Sequence, residues 1–239
     1  MNIAIIGYGK MGREIEKILI SRGHNIGLII DIDNAEDLNS EKLSAIDVAI
    51  EFSAPSAAYQ NIVKCIECGT PVVCGTTAWL DSYDDVVKLT NEKEGAFFYA
   101  SNYSIGVNLF FDINRRLSNL MNSYPQYDVT LEEVHHTQKK DAPSGTAITL
   151  AEGILEGIER KTSWVCKPTT EPEELEVAAI RRSVVPGTHT ITWESSVDMI
   201  TIQHLAKGRE GFALGAVVAA EFLCGKRGIF TMSDLLAQS

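Results

Sequence analysis

The chain has 239 residues, 45% of them hydrophobic and 22% charged, with a formal net charge of -11. That length carries a substantial core in one large or two modest domains, and no apolar run approaches the roughly 20 residues of a membrane span. The acidic balance argues against nucleic acid or an anionic membrane surface as partner, and five cysteines without regular spacing fit a reducing, cytoplasmic setting entered without a cleavable leader.

The first hundred residues alternate β-rich runs with helical patterns, as a parallel sheet covered by helices requires. Strands are expected at residues 2–6, 26–31, 48–52, 71–74 and 96–99, and helices at 11–21, 56–67 and 81–93. After Asn102 the pattern changes to a helix at 107–122 and longer strands at 127–136, 175–184, 188–195 and 199–206. Their rough period-two alternation fits antiparallel strands with one buried face. Residues 147–155 read as a helix, 167–174 as a loop and 212–224 as an apolar helix returning to the first body. The expected α/β plan is therefore a Rossmann dinucleotide-binding domain, 1–103 completed by 212–239, and an α+β domain, 104–211, with an open, mostly antiparallel sheet. A ligand is expected between the two bodies.

Gly7-Tyr8-Gly9-Lys10-Met11-Gly12 follows a strand and opens a helix, the context a dinucleotide fingerprint needs. The first glycine permits the tight turn, the second lets the backbone approach a pyrophosphate, and the third lets helix pack on strand. Asp31 ends the second strand, where a carboxylate accepts both ribose hydroxyls and repels a 2′-phosphate. Ile32 offers no compensating charge, so NADH is the favoured cofactor; Lys10 keeps NADPH open. Gly75-Thr76-Thr77 and Ala100-Ser101-Asn102-Tyr103 follow the fourth and fifth strands and can contact nicotinamide, although turn formation alone accounts for either.

The densest chemistry is His135-His136-Thr137-Gln138-Lys139-Lys140-Asp141-Ala142-Pro143-Ser144-Gly145-Thr146-Ala147. Two imidazoles and two amines precede a turn that opens a helix. Free N–H groups and the positive end of the helix dipole suit an anion, and the neighbouring side chains can donate protons. Neighbours on a strand point to opposite faces, so His135 and His136 are expected to divide their roles, and no metal site is expected from the pair. Cys65-x-x-Cys68 lacks a second pair and carries no metal or redox expectation.

Together these residues resemble the dihydrodipicolinate reductases (4-hydroxy-tetrahydrodipicolinate reductases) of the diaminopimelate route to lysine. The resemblance covers almost the whole chain and rests on Glu133-Val134-His135-His136 with Lys139, Asp141 and Pro143-Ser144-Gly145-Thr146-Ala147, on Gly75-Thr76-Thr77, and on Asn102-Tyr103-Ser104-Ile105-Gly106-Val107-Asn108. It implies a homotetramer that reduces a cyclic, unsaturated imine dicarboxylate to tetrahydrodipicolinate with NADH or NADPH. It also implies His135 as proton donor or acceptor, Lys139 as proton donor, His136 as substrate contact and Gly145-Thr146 as carboxylate cradle. The glycine turn is one residue shorter than in many members, and the short chain implies trimmed loops. Two rivals remain on residues alone: another two-domain amino-acid or semialdehyde dehydrogenase, and a non-catalytic NAD-sensing protein. The first lacks a thioester-forming Cys beside a base, and the second would not need the His/Lys/Gly-Thr run.

Overall fold

Ile3 and Ile5 face one side of the first strand, Ala4 and Ile6 the other, and all four are buried, so this sheet needs cover on both faces. The computed structural model, which describes residues 1–237, divides into two units, Met1–Ile105 with Arg209–Ser239, and Gly106–Gly208. The first unit contains β1 (Asn2–Ile6), α1 (Lys10–Ser21), β2 (Asn25–Ile30), α2 (Ser40–Leu43), β3 (Val48–Glu51), α3 (Pro55–Glu67), β4 (Val72–Cys74), α4 (Tyr83–Glu92) and β5 (Ala96–Tyr99). Its 3-10 segments, Ile32–Asp37 and Leu80–Ser82, follow β2 and precede α4.

The second unit runs α5 (Ile105–Met121), β6 (Asp128–His135), α6 (Gly145–Gly157), β7 (Ser163–Val165), β8 (Glu174–Arg181), β9 (Thr188–Glu194) and β10 (Met199–Leu205). The chain then rejoins the first unit through α7 (Glu210–Leu223), β11 (Gly228–Phe230) and α8 (Met232–Leu236). Among the described residues no helix is long and apolar enough to cross a membrane.

The first sheet has the order β11-β5-β4-β3-β1-β2 with every neighbouring pair parallel. Ile15 and Leu19 of α1 and Ala213, Ala216 and Val217 of α7 cover the Ile3/Ile5 face, while Ile62 and Ile66 of α3 and Val86 of α4 cover the Ala4/Ile6 face. Each fully buried Ile, Leu or Val side chain among them contributes about 1.5–3 kcal/mol. Small residues let α7 approach closely: a Cβ on Gly215 would fall 1.7 Å from the Tyr103 carbonyl oxygen.

The second sheet has the order β10-β9-β6-β8-β7. Burial in β6 alternates along its length, with Val129, Leu131 and Glu133 inward. Phe110 of α5 and Leu150, Ala151 and Ile154 of α6 share a core with Val129, Leu131, Val177, Ile191 and Trp193. The sheet is mixed rather than mostly antiparallel: β10-β9 and β9-β6 are antiparallel, β6-β8 and β8-β7 parallel. The physical reason is two returns of the chain in the direction of β6: α6 leads from β6 to β7, and the segment 166–173 leads from β7 to β8. Three-residue β7 and β11 are too short to display a period, and neither was expected from sequence. The strand expected to reach residue 184 ends at Arg181, before a turn with Ser183 at φ 38°.

Candidate active site

The glycine turn lies at the carboxyl end of β1. Gly7 has φ 92°, and a Cβ there would meet the Phe52 carbonyl oxygen at 2.2 Å. A Cβ on Gly12 would fall 2.3 Å from the Gly7 carbonyl oxygen. Gly9, the N-cap of α1, has open space where its Cβ would be, and no side chain caps the helix. An exposed, uncapped helix start behind a glycine turn fits a pyrophosphate. Lys10 is exposed on the first turn, and Met11 packs on the core. Tyr8 donates its hydroxyl to Glu16, with the Arg13 guanidinium 4.8 Å from the ring centroid.

Asp31, exposed just beyond β2, accepts the Ile32 N–H at 3.0 Å and caps the following 3-10 turn. Gly75, Thr76 and Thr77 follow β4, and Ala100, Ser101 and Asn102 follow β5, so parallel pairing brings them to the same edge of the sheet as the glycine turn. Their side chains differ in what they offer. A Cβ on Gly75 would strike the Phe52 ring at 2.1 Å, and buried Thr76 accepts the Ser53 N–H at 2.9 Å. Ala100 is buried, Asn102 accepts the Ser104 N–H, and Thr77 and Ser101 are exposed. The Tyr103 side chain belongs to the core: it is 2% exposed, donates to the Cys74 carbonyl at 2.7 Å and packs against Phe52 and Phe98.

In the second unit, a buried carboxylate organises the His/Lys run. Glu133 is fully buried, accepts the Ser144 N–H on Oε2 at 3.1 Å and receives both Arg181 terminal nitrogens on Oε1 at 3.1 Å. His135 Nδ1 lies 3.4 Å and His189 Nε2 3.7 Å from Oε2. Burial alone would push the Glu133 carboxyl up, but His189, Ser144 and the field of His135 outweigh it and hold it at about 2. Burial pushes the His135 imidazole down to about 4 against the pull of Glu133, with His189, Lys139 and Arg181 adding to the depression. At neutral pH this site therefore holds an ionised carboxylate beside an uncharged imidazole.

Arg181 also donates to the Lys139 carbonyl at 3.3 Å and the Asp141 carbonyl at 2.5 Å, which ties the loop after β6 to β8. The Lys139 ammonium is bound by both Asp141 oxygens at 2.9 and 2.7 Å; its hydrogen bond holds the Asp141 carboxyl below its ordinary range. Ser144 Oγ caps α6 through the Ala147 N–H at 3.2 Å. Gly145 is exposed on the first turn with no atom near its missing Cβ, and Thr146 follows it, half-buried.

The run is thus assembled at one end of the second sheet, with the two histidines in different settings. The His135 ring is buried against Gly187, His136 is half-buried, and Lys140 is exposed. Glu133 and His189 were absent from the sequence-derived site. Only the period of two placing Glu133 on the same face as His135 hinted at the first, and register across β6 and β9 supplies the second. Glu133, His135 and His189 bring ligand-type atoms within 4.8 Å of one another, a grouping not foreseen from sequence. Its carboxylate already accepts hydrogen bonds from Arg181 on Oε1 and from Ser144 on Oε2.

Known proteins match this arrangement along the whole chain. The dihydrodipicolinate reductase N-terminus model matches residues 1–103 and the dihydrodipicolinate reductase C-terminus model residues 106–236. The 4-hydroxy-tetrahydrodipicolinate reductase of Christiangramia forsetii is 51% identical over 238 residues, covering 99% of this chain and 98% of that protein. That of Methanosarcina acetivorans is 35% identical over 240 residues, covering 98% and 88%. The structure of dipicolinate-bound dihydrodipicolinate reductase from Paenisporosarcina sp. TG-14 shares the fold, with a TM-score of 0.75, 22% identity, and coverage of 98% of this chain and 99% of that one. With an all-parallel first sheet, a mixed second sheet and full-length similarity at this level, the chain belongs to the dihydrodipicolinate reductase family, whose members are NAD(P)H-dependent oxidoreductases.

Proposed function

We infer that the protein reduces 4-hydroxy-tetrahydrodipicolinate to tetrahydrodipicolinate in diaminopimelate and lysine biosynthesis, in the cytoplasm. The balance is substrate, reduced nicotinamide cofactor and a proton giving product, oxidised cofactor and water. The observation that carries the reading is Lys139, ion-paired with Asp141 in the loop that leads directly into α6, within a chain 51% identical to a reductase of that name.

Gly7, Tyr8, Gly9, Lys10, Met11 and Gly12 would hold the cofactor pyrophosphate, Asp31 its ribose, and Gly75, Thr76, Thr77 and residues 100–103 its nicotinamide end. The fit rests on the clear space over Gly9 and the uncapped start of α1. Bound there, NADH or NADPH supplies the hydride. Gly145 and Thr146 hold a substrate carboxylate at the start of α6, and His136 contacts the ring.

Lys139 donates the proton from Nζ once its ammonium exchanges Asp141 for the anionic substrate. His135 is the weaker donor, because an imidazole held near pKa 4 is uncharged at neutral pH. Exposed Asp31 and Ile32 favour NADH over NADPH, since no positive charge on that short segment balances a 2′-phosphate.

A homotetramer is the expected assembly. Met199 and Leu205, more than half exposed on the same face of edge strand β10, offer apolar side chains that partner subunits would cover. Light scattering on the purified protein tests it, and a monomer would refute it. For the activity, nicotinamide absorbance at 340 nm is followed with the freshly generated product of dihydrodipicolinate synthase and NADH or NADPH in parallel. Oxidation faster with NADH is expected; none with either cofactor, from folded protein that binds one, would refute the reaction.

A further inference from the structure

The start of α6 is held by more than an ordinary helix cap. Ser144 makes three polar contacts inside the protein: its N–H donates to Glu133 Oε2 at 3.1 Å, its Oγ accepts the Ala147 N–H at 3.2 Å, and the same Oγ lies 3.2 Å from His189 Nε2. Glu133, Ser144 and His189 are all at least nine-tenths buried. They come from β6, the first residue before α6, and β9, so one cluster ties the helix start to two neighbouring strands.

His189 Nδ1 is buried and makes no hydrogen bond among the described residues. A proton on that nitrogen would be a buried donor without a partner. The favoured tautomer therefore carries its proton on Nε2, which donates to Ser144 Oγ with Glu133 Oε2 behind it at 3.7 Å. A carboxylate beneath an anion cradle would repel the anion if left bare. Arg181, with both terminal nitrogens on Oε1, cancels that charge while leaving Oε2 to Ser144.

We propose that His189 and Glu133 are positioning residues for substrate binding: through Ser144 they fix the first turn of α6, whose Gly145 and Thr146 N–H groups receive the substrate carboxylate. The proposal rests on the reading of α6 as that cradle. A displacement of about 1 Å in such a cradle weakens the anion bonds, whereas the hydride and proton steps depend on groups elsewhere.

The test compares His189→Leu, His189→Gln and Ser144→Ala, alone and with His189→Leu combined with Ser144→Ala. The readouts are KM for the dicarboxylate, the inhibition constant of dipicolinate, kcat, and KM for the nicotinamide cofactor. His189→Leu and Ser144→Ala are each expected to raise the first two roughly tenfold, with kcat and cofactor KM within about twofold, the pattern of lost substrate binding. His189→Gln, which retains a donor near the Nε2 position, recovers most of the loss. The double variant is no worse than Ser144→Ala alone, because that change already removes the contact with His189.

Unchanged constants in His189→Leu, equal loss in His189→Gln, or additive losses in the double variant would each overturn the proposal. Ser144→Ala, the milder change, decides it if His189→Leu does not fold, with unchanged dicarboxylate KM as the refuting result. A folded, cofactor-binding wild type that fails to oxidise cofactor with this substrate would instead overturn the reading beneath, and the proposal with it.

Discussion

The two sites that the sheets of this chain carry are built on opposite principles. The glycine end of the first sheet works by omission: Gly7 and Gly12 sit where a side chain would strike backbone within 2.3 Å, and Gly9 leaves open space. The histidine end of the second sheet works by addition, with Glu133, His135, Ser144, Arg181 and His189 packed into mutual contact. A backbone site needs only a local turn and a helix start. A side-chain site needs several strands in register, so it is more easily broken by one substitution.

The largest expected effect is on chemistry at the histidine end. Lys139→Ala should lower kcat by about 10²–10⁴-fold, the loss expected for general-acid help, with cofactor affinity nearly unchanged. Steady-state kinetics with direct cofactor titration measures both, and near-normal turnover would remove Lys139 from the mechanism. Next is stability: Glu133→Ala leaves the Arg181 charge without its buried partner and should cost about 3–5 kcal/mol in urea unfolding. A loss below about 1 kcal/mol would mean that solvent or another group replaces the carboxylate.

Acid should reveal the same cluster. Glu133 is held below its ordinary 4.5, at about 2, so its contribution is present above 4.5 and is lost as pH falls towards 2. His135 is held at about 4 against an ordinary 6.5, so the unfolded chain takes up its proton first and stability falls between 6.5 and 4. Each is worth about 3 kcal/mol. Unfolding free energies from pH 7.5 to 3 should decline, and His135→Asn should flatten the upper part of that decline. An unaltered slope in the variant would sink the assignment to His135.

These two ends were also unequally legible in the sequence. The glycine turn spans six consecutive residues after a continuous apolar strand, and its geometry follows from local sterics alone. The run from His135 to Thr146 was legible for the same reason, because residues contiguous in the chain announce a strand end, a loop and a capped helix. Glu133 and His189 meet only because β6 pairs antiparallel with β9 in one register, and Arg181 reaches them only because β8 pairs parallel on the other side. That parallel pair follows from two returns of the chain, through α6 and through residues 166–173, and is where the second sheet departs from antiparallel pairing. The burial of the Tyr103 side chain was not legible either: it lies beside Asn102 in a polar turn, yet helix α7 at Gly215 and the Phe52 and Phe98 rings enclose it.

At the glycine end the effects are smaller and specific to the cofactor. Gly9→Ala meets no atom within 4 Å, so stability should hold, while cofactor dissociation constants rise roughly tenfold as the methyl group enters the space over the helix start. Unchanged binding would place the pyrophosphate away from this turn.

Asp31 gives the smallest and most selective effect. Its carboxylate does two things in this structure: it accepts the Ile32 N–H and caps the 3-10 turn that follows β2. Facing a ribose, it gains hydrogen bonds from NADH and meets charge repulsion from the 2′-phosphate of NADPH. Asp31→Asn retains a cap and a hydrogen-bonding group but removes the charge, so loss of the turn does not confuse the result. The ratio of kcat/KM for NADH to that for NADPH should fall about fivefold, mainly because NADPH improves, by an amount typical of one exposed charge. A ratio that stays constant would shift cofactor choice from Asp31 to Lys10, whose exposed amine lies on the first turn of α1. Lys10→Ala would then separate the two, since losing that amine should weaken NADPH and leave NADH unaltered.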